Sequence, residues 1–418
     1  VSLMSCPVHL PVNKKQKLKS GVQYTFGRGG STRLNWYDAA DPRPDYYKKL
    51  PSYWEDDPEM YQQYKNLWAS GNEDVLQLDW DQFYFANNKN LYTVHNVDGE
   101  AGNDVTGNRS KYIIEEGRTD IDQAGVNSTY SNQINQNINI NGGINLRYYK
   151  GHHYQTVVDL LGGDYWLDID QFAERDFADP SIAQNNIDNP NHIAKEGDVI
   201  GYDYVANINS HDIFAQAQFV YPKIDFYTSG KFSYTEFWRK GNRANGKFPT
   251  ESYGNSPKKQ FVNYGFKAGA TYKITGRHFI LINAGYMTEA PYFRDAFISP
   301  RTRDHTVENL QSEKILSGDL SYVWRSPTVD ARLTGFYTQF NDGIWNRSFY
   351  HDELNSFVNY IMDDVDKLKS DFSVYENQNK NSYFTSDYRI LTKTGETRWV
   401  TEKSLMTRSS LRLRRTWW

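Results

Sequence analysis

The sequence lacks the features that define several common classes of protein. It holds a single cysteine, Cys6, in 418 residues, which excludes a disulfide framework and a cysteine-rich metal site. No run approaches the roughly 18 apolar residues of a spanning helix, which excludes a helical membrane protein. The 47 Lys and Arg nearly balance the 51 Asp and Glu, so the overall charge gives no reason to expect a nucleic-acid partner.

The first ten residues also lack the basic segment and the long apolar stretch of a signal peptide. Two alternatives follow: a cytoplasmic protein, or a chain from which the signal peptide is missing. What the chain does have is aromatic residues, 16% of the total, beside a hydrophobic content of only 38%. Disordered chains are polar but poor in aromatics, so this composition favours a folded protein.

Apolar residues recur at every second position in many segments. In 138–148, isoleucine and leucine alternate with asparagine and arginine. A period of two places the apolar set on one sheet face and the polar set on the other, which predicts about ten antiparallel strands. The apolar phase shifts between Ile208 and Ile213, which predicts a bulge there. The predicted strands are 18–26, 111–123, 137–149, 201–220, 224–238, 261–273, 278–286, 315–324, 329–340 and 356–362.

The connections between these strands alternate between short and long. Short ones lie near 130–136, 221–223, 274–277 and 325–328, and long ones at 27–110, 150–200, 239–260, 287–314 and 341–355. Outer-membrane barrels have this asymmetry, with short periplasmic turns and long extracellular loops. Most segments also exceed the about 5–6 residues of a usual strand and match the about 9–11 that cross a bilayer. We therefore predict an all-β, antiparallel transmembrane β-barrel with about ten strands, hence a partial one.

The long connections have structure of their own. Met60, Tyr61, Tyr64 and Leu67 stand at helical spacing, which predicts a short amphipathic helix over 58–70. Aromatic residues in these loops form either a ligand-facing surface or the loops' own packing. The residues predicted to face a ligand are Trp36, Tyr37, Tyr165 and Trp166.

Three separated segments carry a resemblance to a known family. They are 35–53 (NWYDAADPRPDYYKKLPSY), 159–177 (DLLGGDYWLDIDQFAERDF), and 290–301 followed by ENLQSE at 308–313. In this order they resemble the barrel of TonB-dependent outer-membrane receptors of the Bacteroidetes type, over about residues 16–366. Residues 1–15 stay unassigned.

The resemblance implies a 22-stranded barrel plugged by an N-terminal domain. Such a receptor imports nutrients such as metal chelates, vitamins or glycans, with energy supplied through TonB. The partners implied are outer-membrane lipid, the TonB system and a small nutrient ligand that the sequence does not name. The plug, the TonB-contacting segment and about half of the strands have no counterpart in this sequence, so we expect a barrel fragment that does not transport alone.

The tail, 367–418, departs from the barrel pattern. Residues 386–400 predict a hairpin with a Lys-Thr-Gly-Glu turn, which resembles the last two strands of a PAS sensor domain. The alternative is a hairpin that pairs with the barrel edge. The end of the tail is basic and could contact phosphate or lipid head groups, although a solvated end explains it too.

No catalytic motif stands out, so we predict that the protein is not an enzyme. The sequence indicates no catalytic, cofactor-binding or metal-ligating residue. His152 and His153 are neighbours on a strand and point to opposite faces, so they cannot readily share a metal. Asp164, Asp168 and Asp170 could bind calcium, but their spacing matches no defined calcium loop. Two rival functions remain: a PAS-type signalling protein and a soluble all-β binding module.

Overall fold

The structure, a computed structural model, describes residues 2–344, 347–351, 356–360, 383–391 and 397–405. Its main element is an eleven-stranded antiparallel sheet in which ten strands pair strictly with the next along the chain. The eleventh, Gly254–Asn255, is a short addition to the end of the sixth. The ten strands are β1 (Ser2–Pro11), β2 (Gln16–Trp36), β3 (Tyr112–Gln133), β4 (Ile138–Asp159), β5 (Val199–Val220), β6 (Ile224–Gly241), β7 (Lys259–Lys273), β8 (His278–Glu289), β9 (Glu313–Arg325) and β10 (Asp330–Asn341).

The long connections carry helices and small β-ladders. The α-helices are α1 (Pro58–Ala69), α2 (Glu73–Leu76), α3 (Trp80–Asn88), α4 (Gln171–Asp176) and α5 (Phe293–Ala296), and the 3-10 helices are Tyr47–Lys49, Pro51–Trp54 and Val97–Gly99. Leu91–Val94 pairs with Val105–Asn108, and Trp166–Leu167 pairs with Ile193–Ala194. The predicted helix over 58–70 is confirmed as α1, whose first amide groups are capped by the Asp57 carboxylate. No helix in the described part of the chain is long and apolar enough to cross a membrane.

The predicted all-β antiparallel class is confirmed, and nine of the ten predicted strands correspond to β2–β10. The tenth prediction, 356–362, is wrong as a strand of this sheet. Ser356–Tyr360 belongs to a separate four-stranded sheet with Arg347–His351, Tyr383–Leu391 and Thr397–Leu405. The last two strands pair with each other as the predicted hairpin, although its turn lies outside the described residues. The hairpin is joined to Ser356–Tyr360 and not to β10.

The strand that the sequence left unassigned is β1. Its later residues alternate as a strand requires, since Cys6, Val8 and Leu10 each stand between polar or proline positions. Pro7 and Pro11 argue against a strand, because proline cannot donate to the ladder. Within the described residues β1 pairs with β2 on one side only, and proline is tolerated in a strand whose other side is unpaired.

The two faces of the sheet differ in the half nearest the short turns. One face, which we call the outer face, is apolar and exposed there; its residues include Val22, Val126, Ile144, Ile213, Phe232, Phe266, Ile282 and Leu320. The opposite, inner face is polar at the same height. Asp212 accepts a hydrogen bond from Asn145 at 3.1 Å and pairs with Lys231 at 3.1 Å, and Asn283 donates to Asp319 at 3.0 Å.

The polarity of the faces reverses in the half nearest the long loops. On the inner face, Tyr204, Ala206 and Phe237 are buried in a hydrophobic core. On the outer face, His152 lies 2.7 Å from Asp203, and Arg118 lies 3.1 Å from Asp120. Long strands of 21 or 22 residues, β2 to β5, pass through both halves.

The predicted bulge between Ile208 and Ile213 is wrong, because this reversal of polarity accounts for the shift. The pairing of β5 with β6 is unbroken from Tyr204 to Val220, so no residue is inserted there. Ile208 packs against the inner core, whereas Ile213 is exposed on the outer face. The apolar residues change phase because the apolar side of the sheet differs between its two halves, and not because a residue is inserted in the strand.

Outward aromatic residues mark both limits of the apolar zone, which we call the apolar band. Tyr130, Tyr272 and Tyr322 lie near the short turns, and Tyr24, Tyr148 and Tyr264 lie at the other limit. On β4 the band runs from 138 to 148, which at ~3.4 Å per residue and a tilt of about 40° spans about 26 Å. Membrane barrels have an apolar belt of about 25 Å between aromatic girdles.

Candidate functional site on the inner wall

The inner wall above the apolar band is covered by the loops 242–258 and 290–312. A β-bulge interrupts this part of the wall, where the register of β4 with β5 shifts between Tyr154 and Gln155. Gly201 lies in the bulge with a φ of 63°, a conformation that favours glycine. A Cβ at this position would also lie 2.8 Å from the Gln155 side chain. Tyr202 lies on the inner wall next to Tyr204, since residues two apart on a strand share a face.

Four side chains form a continuous series on this wall, which we call the inner-wall stack. The Arg301 guanidinium lies over the Tyr202 ring at 4.8 Å from its centroid. The Tyr202 and Tyr204 rings are 6.2 Å apart, and His153 stacks on Tyr204 at 4.9 Å. Stacking of arginine on an aromatic face leaves the edge of the guanidinium free to donate hydrogen bonds.

Arg239 holds the loops over the stack. Its side chain is almost fully buried, at 1% exposure, and lies over the other ring of the pair, Tyr204, at 5.5 Å. Its guanidinium donates to the Pro300 carbonyl and to the Ser252 carbonyl, each at 2.6 Å. Pro300 precedes Arg301, so this bond fixes the backbone that carries the exposed end of the stack.

The charges around the stack do not balance. Arg303 packs over the Phe248 ring at 4.5 Å and lies 4.0 Å from Glu251, and its burial lowers the pKa of its guanidinium. Burial also raises the pKa of Asp304, and the nearby Arg239 opposes this shift. Arg301 has no carboxylate within salt-bridge distance among the described residues. Within the described residues, no ion pair therefore neutralises the Arg301 guanidinium.

The four residues predicted to face a ligand lie beside one another in the other long loops. Tyr37 and Trp166 touch edge to face, 6.5 Å apart, and Trp36 has the Arg43 guanidinium 5.4 Å from its ring. Tyr165 is 1% exposed and donates to the Tyr92 carbonyl at 3.0 Å. Burial raises the pKa of Tyr37 to about 12, and its hydroxyl also donates to Glu174. Tyr165 and Trp166 are part of the hydrophobic core of the loops, and a ligand role for the four stays a prediction.

The other polar residues singled out in the sequence have structural partners. His152 and His153 lie on opposite faces, as predicted: the first contacts Asp203 and the second Tyr204. Asp168 pairs with Arg243 at 2.5 Å. Asp164 accepts a hydrogen bond from the backbone of Asn108, and Asp170 caps α4. In the part of the chain that the structure describes, no three His, Cys, Asp or Glu side chains are grouped to hold a metal ion.

A concavity in the first long loop is lined by none of the predicted ligand-facing residues. It has a volume of 420 Å³ and lies between α1, α2, α3 and the segment 40–44. Trp68 lines it and donates from its indole to the Lys49 carbonyl at 2.9 Å, and Asp79 lines it while capping α3. These two side chains thus help to hold the loop together.

Sequence reasoning missed Tyr202 and Arg301. Tyr202 stood inside a predicted strand, and Arg301 ended a segment of the family resemblance without a role. The signal that could have found Tyr202 is Gly201, because an isolated glycine in a strand often marks a bulge.

Comparisons with known proteins give structural likeness only. No family model matches the chain, and no curated protein matches it. Among solved structures, the copper transporter OprC is similar with a TM-score of 0.48 at 8% identity, over 86% of this chain and 41% of that one. The unliganded ferric citrate transporter FecA gives 0.44 at 10% identity, over 86% and 37%. The siderophore receptor PiuA from Acinetobacter baumannii gives 0.38 at 11% identity, over 86% and 43%.

This chain thus spans about two fifths of the length of these structures. All three TM-scores lie below 0.5, so the likeness carries no argument about function. The class that the fold itself defines is an open, partial β-barrel sheet built as an antiparallel meander.

Proposed function

We propose that this chain is part of an outer-membrane barrel of the TonB-dependent receptor class, which takes up a small nutrient through its loops and inner wall. The observation that carries the proposal is the exchange of polarity between the faces along strands of unbroken register. An apolar outer face needs lipid beside it, and a polar inner face at the same height needs a hydrated or protein-filled lumen. Above the bilayer the outer face meets water and is polar, and the inner face is apolar because the loops cover it.

The soluble all-β alternative explains this pattern less well. In a soluble sheet the apolar face packs on a core, yet Ile144 and Ile213 are 42% and 56% exposed. The buried core of this sheet lies instead on the opposite face and at one end only. A soluble module would therefore expose an apolar patch far larger than the few hundred Å² usual for monomers.

Further strands complete the barrel in this proposal. Within the described residues, β1 and β10 each pair on one side only, and unpaired backbone groups in lipid cost several kcal/mol each. We therefore infer that transport requires the remaining strands, a plug and TonB, as the family resemblance implies. The Bacteroidetes type and the PAS-like tail stay hypotheses that rest on that resemblance.

Reconstitution tests the proposal. The urea-unfolded chain is diluted into phosphatidylcholine vesicles, which are then floated through a density gradient and washed with carbonate. We expect the chain to float with the vesicles after the wash and to give a β-sheet circular dichroism spectrum. A chain that stays folded, monomeric and vesicle-free in plain buffer would favour the soluble module instead.

A further inference from the structure

We propose that Arg301 and the inner-wall stack bind an oxyanion, so that the solute recognised on this wall carries a carboxylate or phosphate group. The inference rests on the proposed function in one respect: the proposed function makes this wall the path of an imported solute. The chemistry itself follows from the arrangement of side chains around Arg301.

Arg301 is an accessible cation of the loop-covered part of the wall. Arg301 is exposed, whereas Arg239 and Arg303 are buried in the same region. Its guanidinium is held at 4.8 Å over Tyr202, so part of the side-chain entropy that a ligand would otherwise have to freeze is already lost. The free edge of a planar guanidinium matches the two oxygens of a carboxylate or phosphate.

The neighbouring groups leave Arg301 without an internal anion. Arg239 donates to two backbone carbonyls, and Glu251 is the carboxylate nearest Arg303. Asp304 is half-buried and forms no ion pair with Arg301 within the described residues. An anion from solution can therefore pair with Arg301 without displacing an internal carboxylate of the described residues.

Two further polar groups lie on the same wall and can complete the site. His153 contacts the Thr119 hydroxyl through Nδ1 at 3.2 Å, which leaves Nε2 available to a ligand. The Tyr149 ring lies over Gly151, where an added Cβ would come within 2.6 Å of the phenol oxygen. Glycine at 151 thus opens the space that the Tyr149 hydroxyl occupies on the inner wall.

The test is a titration of the whole chain, folded in detergent micelles, with citrate, inorganic phosphate and neutral glucose as probes. We expect citrate or phosphate to bind and glucose not to bind. Arg301→Gln should weaken anion binding by about tenfold or more, because it removes a charge-assisted bidentate contact. Arg301→Lys should keep part of the affinity, since the charge stays while the two-pronged geometry is lost.

Arg294→Gln is the matched control, because Arg294 lies in the same loop, is exposed, and makes the same change of charge. Tyr202→Leu should weaken binding through loss of the platform, while Tyr202→Phe should not. Equal losses in Arg301→Gln and Arg294→Gln would mean nonspecific attraction and would overturn the proposal. Binding of glucose alone would do the same.

Circular dichroism and the protease pattern of each variant establish that it folds as the parent does. If Arg301→Gln does not, Arg301→Lys and the Tyr202 pair still decide the question. A chain that inserts into vesicles but binds none of the anions refutes this inference and leaves the proposed function standing. Failure to insert concerns the proposed function alone.

Discussion

A charge placed at the middle of the apolar band separates a membrane sheet from a soluble one. Ile144 lies on the outer face between the two aromatic limits and pairs across the sheet with Ser128 and Ile213. It is already 42% exposed in the structure. In water, Ile144→Arg would therefore change stability by no more than about 0.5 kcal/mol, as for most surface substitutions.

In a bilayer the same substitution meets hydrocarbon. A Lys or Arg on the lipid face of a barrel near the midplane costs about 2–4 kcal/mol. The neighbouring Asn145→Arg provides the matched control, because residue 145 points to the inner face at the same height and lies 3.1 Å from the Asp212 carboxylate. We expect it to cost less than about 1 kcal/mol, since lumen substitutions do not touch lipid.

In the assay, the chain is reconstituted in phosphatidylcholine vesicles and unfolded with urea, and circular dichroism is the readout. The reasoning predicts a much lower unfolding free energy for Ile144→Arg and a nearly unchanged one for Asn145→Arg. Equal effects of the two substitutions would refute the assignment of the outer face to lipid. A larger effect of Asn145→Arg would reverse the assignment of the faces.

Three further predictions concern the loops. Arg239→Met should speed proteolysis of both covering loops and destabilise them by about 2–3 kcal/mol, because two buried carbonyls lose a charged donor; limited trypsin digestion checks this. Asp168→Ala should cost about 3–5 kcal/mol by leaving the half-buried Arg243 without a carboxylate, and added calcium should not shift the thermal unfolding of the parent chain. The raised pKa of Tyr37, about 12, means that the native state keeps this proton after the unfolded chain has lost it near pH 10. Its stabilisation should therefore be complete below about pH 10 and fall as the pH rises to about 12, and Tyr37→Phe should flatten this part of the stability profile.

The sequence predicted the strands well because alternation is a local signal. A period of two identified β2 to β10 without knowledge of their partners. It failed at β1, where Pro7 and Pro11 argue against a strand although the segment pairs with β2 along its whole length. It also misread Ile208 and Ile213, since one chain passes through two environments and the sequence records only the change of phase.

The site was harder to predict because it depends on contacts between distant segments. Arg301 meets Tyr202 across nearly a hundred residues, and the loop that carries Arg301 is held by Arg239 from another strand. The aromatic residues that the sequence favoured, such as Tyr165, lie in the core of a loop. Aromatic content alone does not distinguish a ligand surface from packing.

The central claim is that the apolar band faces lipid, and depth-dependent fluorescence quenching tests it most directly. In a Cys6→Ser background, single cysteines at positions 144 and 145 are labelled with a fluorophore and reconstituted into vesicles of brominated phosphatidylcholine. The account predicts strong quenching at 144 and weak quenching at 145. Equal quenching at the two positions, or stronger quenching at 145, would contradict it.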